Sequence, residues 1–76
     1  MEASAPTVLW RLWNGTGAEA RAVLLPGAPH STLTVFVDDV MDRAENFATL
    51  DVALFRADDL KTTLLADGWH EEPARR

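Results

Sequence analysis

Two histidines and no cysteine are the whole stock of neutral-pH proton carriers and soft nucleophiles in this chain of 76 residues. His30 stands beside Ser31 in "PGAPHS". Nucleophilic catalysis needs a hydroxyl, a base and an orienting group brought together in space. Adjacency in sequence does not supply that geometry, and two prolines and a glycine within six residues mark a connecting loop. His70-Glu71-Glu72 and Asp38-Asp39 with Asp42 are the places where a divalent ion could be held weakly. Neither histidine has a ligand partner at helical spacing, and Val40 between Asp38 and Asp42 breaks the alternating oxygen ligands of a calcium loop. Both read as solvated charge runs. Asp58 and Asp59 do not make a carboxylate pair, because neighbours on a helix point about 100° apart. "NGTG" has neither the lysine nor the following helix of a phosphate-binding loop. Lys61 falls in an apolar stripe, where its methylene stem carries the ammonium out to water. The expectation is no enzyme, no catalytic residue, no metal site and no cofactor.

The balance of charge narrows the partners. The formal net charge is −5, and the surplus lies entirely in residues 38–67. There Asp38, Asp39, Asp42, Glu45, Asp51, Asp58, Asp59 and Asp67 face only Arg43, Arg56 and Lys61. An acidic surface repels phosphates and releases no counterions, so nucleic acid is disfavoured. Apolar content of 47% with 25% charged residues is that of a folded domain rather than a disordered one. No apolar run reaches the roughly 18 residues of a membrane-spanning helix, and no basic-then-apolar signal opens the chain. With no cysteine to oxidise, a cytoplasmic setting is expected.

Any surface must be positioned by the elements, and these follow from period and punctuation. "TVLWRLW", "EARAVLL" and "LTVFVD" are three short β-rich runs. The first break carries Asn14-Gly15, a strong signal for a type I′ hairpin turn. "PGAPHS" is the second break, and Asp38-Asp39 makes a third, tight turn. "VMDRAENF" then runs back as a shorter fourth strand, so the sheet has three or four strands. From Thr49 to Ala66 the period becomes helical, with Leu50, Ala53, Leu54, Ala57, Leu60, Leu64 and Leu65 on one stripe. Thr49 is placed as N-cap, Asp51 favours the first turn, and Gly68 takes the left-handed position after the helix with Trp69 packing back. The expected fold is α+β: one domain over residues 1–76, an antiparallel β-meander with one C-terminal helix on one face, and loose ends at 1–6 and 71–76.

Strand alternation assigns faces. Leu33, Val35 and Val37 form the purely apolar side of the third strand, which turns to the helix with Val8, Trp10 and Leu12. The opposite face is then left with Leu9, Arg11, Trp13, Thr32, Thr34 and Phe36. An apolar patch with a Trp and a Phe on an uncovered face points to an interface. The partner-binding candidates are therefore Leu9, Arg11, Trp13 and Phe36, with Phe55 on the acidic side of the helix as a second surface. The function expected is protein–protein interaction or regulation, with a protein partner or a second copy. An acidic adaptor presenting Phe55, Asp58 and Asp59 is one alternative. A single-strand nucleic-acid binder that stacks bases on the sheet aromatics is the other, although such platforms are normally framed by Lys and Arg.

Overall fold

A computed structural model describes residues 5–71. Four strands, β1 (Thr7–Trp13), β2 (Glu19–Leu25), β3 (Ser31–Val37) and β4 (Val40–Phe47), are followed by one helix, α1 (Leu50–Ala66). The strands pair in sequence order, each antiparallel to the next, and the helix lies on one face. The α+β meander with a C-terminal helix is the architecture that the hydrophobic period requires. The fourth strand is not the shorter one: its eight residues make it the longest. The expected loose ends lie outside the described residues except for Ala5, Pro6 and Glu71.

The core sits between the sheet and α1. Trp10 and Leu12 from β1, Ala20 and Ala22 from β2, and Leu33 and Val35 from β3 pack against Ala57. Two alanines, Ala53 and Ala57, are the buried helix residues, and their short side chains let the backbone approach the sheet closely. The Trp10 indole N–H donates to the Ala57 carbonyl at 2.9 Å, so the largest core side chain also has its polar atom satisfied. Leu60 and Leu64 extend this seat, whereas Leu50, Leu54 and Leu65 stay exposed on its flank. The stripe that makes contact is thus narrower than the stripe in the sequence.

Both ends of α1 close as their residue types demand. Thr49 is extended at φ −133° and its hydroxyl accepts the Val52 N–H. At the other end Gly68 has φ +101°. The Trp69 N–H reaches the Leu64 carbonyl and the Gly68 N–H reaches that of Leu65, the paired bonds of a Schellman stop. Trp69 then packs on the core, and His70 exchanges two backbone hydrogen bonds with Trp13 on the outer edge of β1.

One turn differs from its expected type, and the tight turn expected at Asp38-Asp39 is present. Asn14-Gly15 is not a type I′ turn, since neither residue has positive φ. The Asn14 side-chain oxygen instead accepts from the Thr16 and Ala18 N–H groups and from the Thr16 hydroxyl, and Gly17 takes the left-handed position at φ +91°. The turn with positive φ at both central residues is Asp38-Asp39, at +53° and +67°. It joins β3 to β4 with two residues, and its twist matches that of the strands.

Candidate functional site

Cross-strand partners share a face of a sheet, so the pairing defines what the helix leaves uncovered. One row runs Val8, Val23, Thr34, Ala44 across all four strands. The next runs Arg11, Arg21, Phe36, Met41. Beyond them stand Trp13 opposite Glu19 at one end, and Leu25, Thr32 and Asn46 at the other. All of these are exposed or half-buried. The face is therefore a mixed surface with an apolar middle.

One extra residue in β1 changes its membership. Val8 pairs with Val23 and Trp10 with Ala22, which leaves Leu9 as a bulge. The bulge moves Leu9 to the helix side, where it packs against the core, and turns Val8 out beside Val23 at 42% exposure. The expectation that Leu9 belongs to the open face and Val8 to the core is overturned by this register shift. Arg11, Trp13 and Phe36 do fall on the open face.

Charge on this face is neutralised internally. Arg11 and Arg21 stand directly opposite one another, an arrangement that repels. Glu19 resolves it with one oxygen 3.4 Å from the Arg11 guanidinium and the other 3.3 Å from that of Arg21. Asp39 adds a 2.7 Å contact to Arg21. The hydrogen bond that Arg21 donates to Asp39 holds its guanidinium still more firmly charged than usual, with Glu19 acting in the same direction. The Arg21 guanidinium also lies over the Phe36 ring, 4.8 Å from its centre. One face of the Phe36 ring is thereby taken by Arg21 rather than open to a base.

Phe55 is 76% exposed, on the side of α1 turned away from the sheet. It belongs to a different surface from Trp13 and Phe36. Val52 is exposed with it, next to Asp51, Asp58 and Asp59. Asp59 is tied to Arg56, which also reaches Glu45 on β4. The Arg56 guanidinium is held more firmly charged, chiefly by its hydrogen bond to Glu45.

The chemistry-bearing residues remain apart. His30 is exposed in the β2–β3 loop while Ser31 is buried at the start of β3. Among the described residues no three His, Cys, Asp or Glu side chains gather where they could hold a metal ion. Lys61 reaches Glu71 at 2.8 Å, a pairing that the stripe alone did not foretell. Among the described residues no helix is long and apolar enough to cross a membrane. The fold and the surface define a small α+β domain with one sheet face left open among the described residues. No protein-family model, curated protein or solved structure matches the chain.

Proposed function

We propose that this is a non-catalytic interaction domain that associates with a second copy of itself through the open face of its sheet. The observation that supports it is a four-stranded face, uncovered among the described residues, whose apolar middle, Val8, Val23, Phe36, Met41 and Ala44, is framed by charges that cancel one another. The chain carries a net charge of −5, so most of its surface repels a copy of itself. A neutral apolar face is where two copies meet at least electrostatic cost. Aromatic and Arg residues, here Trp13, Phe36, Arg11 and Arg21, are the usual anchors of such contacts. The cysteine-free composition suits a cytoplasmic setting.

A dilution series followed by amide NMR tests this reading. Diluting from about 500 to about 20 μM, a range that brackets dissociation constants of roughly 100 μM, shifts signals of β1–β3 on the open face. Trp13→Ser keeps the spectrum folded and removes the concentration dependence. Spectra that do not change with concentration contradict it. The 76% exposure of Phe55 favours one other reading, an acidic adaptor that offers α1 to a basic partner. Shifts confined to Val52, Phe55 and Asp58 on addition of a basic peptide would support that instead. The nucleic-acid alternative finds less support, because both arginines of the face are already paired with carboxylates.

A further inference from the structure

On the helix side of the sheet, packing is uneven along α1. Ala53 and Ala57 let the helix lie close to the strands. Beyond them Leu60 and Leu64 share with Ala20 of β2 and Val35 and Val37 of β3 a cleft of about 120 Å³. Trp10 and Trp69 complete its apolar walls. Side chains beside such a space lack partner atoms on one side and forfeit dispersion contacts. An apolar cavity of about 150 Å³ takes a benzene ring, so this one suits a single ring or a branched alkyl group.

The polar groups at the cleft are already paired. The Trp10 indole N–H donates to the Ala57 carbonyl, and the Thr63 hydroxyl donates to that of Asp59 at 3.1 Å. Asp42 and Arg43, exposed at the rim, lie 3.4 Å apart, and Glu45 stands 3.9 Å from the same guanidinium. Among the described residues no buried side-chain polar atom lacks a partner. A guest is therefore offered apolar contact and no unmet hydrogen bond. A polar or charged guest would leave water without replacing the bonds it had there.

We propose that this cleft is a binding site for a small neutral apolar molecule, one ring or one branched alkyl group in size. The guest fills the space between Leu60 and Leu64 of the helix and Val35 and Val37 of the sheet, and restores the contacts those side chains lack. Cations and anions of the same shape are both disfavoured, because Asp42 and Arg43 already neutralise one another at the rim. The site lies on the opposite side of the sheet from the open face, so either reading can fail without the other.

Titration of the full chain with toluene, followed at the methyl and indole N–H signals in two-dimensional NMR, tests the proposal. Benzylammonium and benzoate serve as cationic and anionic probes of nearly the same shape. The expected result is saturable shifts at Val37, Leu60, Leu64 and Trp69, with a dissociation constant of about 1 mM, and none at Val8 or Val23. Both ions should bind about tenfold more weakly than toluene. Ala20→Val fills the cleft from the sheet and Thr63→Phe crowds its exposed rim. Each variant whose spectrum stays folded should lose the shifts. Either ion binding as tightly as toluene would overturn the proposal. So would shifts confined to Val8 and Val23, shifts that survive in either folded variant, or no saturation by about 5 mM.

Discussion

Glu19 is the residue on which the open face depends, because it holds two guanidiniums that repel one another at their paired positions. Glu19→Gln leaves that repulsion uncompensated on one side. Since these groups are only partly withdrawn from water, the expected loss is modest, about 0.5–1 kcal/mol by urea denaturation, and smaller at high salt. Asp38 carries a different load. Its backbone is left-handed at φ +53° and its carboxylate accepts the Glu19 N–H at 2.9 Å. Asp38→Ala loses that bond and keeps the unfavourable φ, so stability should fall by about 1–2 kcal/mol in the same assay. The exchange of Val8 for Leu9 is also a matter of single residues. Three apolar side chains in a row, Val8, Leu9 and Trp10, allow either phase of alternation to bury a hydrophobe, so nothing in the run forbids a one-residue slip. The partner strand decides it, and the partner is not legible from β1 alone. Trp13, Arg11 and Phe36 lie beyond the slip, and their face could be read directly from the alternation.

Helix α1 shows what periodicity conveys and what it omits. Its bounds, its Thr49 cap and its Gly68 stop follow from residue type, because each satisfies a backbone need that few other residues meet. Gly68→Ala forces a side chain into φ +101° and should cost about 1–2 kcal/mol, read as a lowered unfolding midpoint with unchanged m-value. Depth of burial is another matter. Seven apolar positions share the stripe, yet the helix settles on Ala53 and Ala57 and leaves Leu50, Leu54 and Leu65 at 39–45% exposure. A helical wheel gives direction, while the height at which a helix rides depends on the side chains opposite it. The pairing of His70 with Trp13 was illegible for a similar reason: a single backbone bridge has no period to announce it. The tight turn at Asp38-Asp39 was legible, whereas the longer Asn14–Ala18 loop was not, because it is Gly17 rather than Asn14 or Gly15 that takes positive φ.

The whole molecule is two-sided, with a helix closing one face of the sheet and nothing among the described residues closing the other. Its surplus acidity lies in β4, α1 and their connections, away from the neutral middle of the open face. Fold class followed from pattern because the meander is the simplest way to bury three alternating strands under one amphipathic helix. A partner leaves no such imprint, since a docking face needs only to be apolar enough and uncharged enough. In a two-fold symmetric contact, residues near the axis meet their own copies. Thr34, in the central row between Val23 and Ala44, is therefore the place where one added charge confronts itself. Sedimentation equilibrium of the native chain and of Thr34→Arg, at about 100 μM where even micromolar association is visible, is the most direct measurement. Face-to-face association predicts an average mass clearly above 8.4 kDa that climbs towards twice that value with concentration for the native chain, and 8.4 kDa for Thr34→Arg. A native chain that sediments at 8.4 kDa, or a Thr34→Arg variant that still sediments as a dimer, would contradict it.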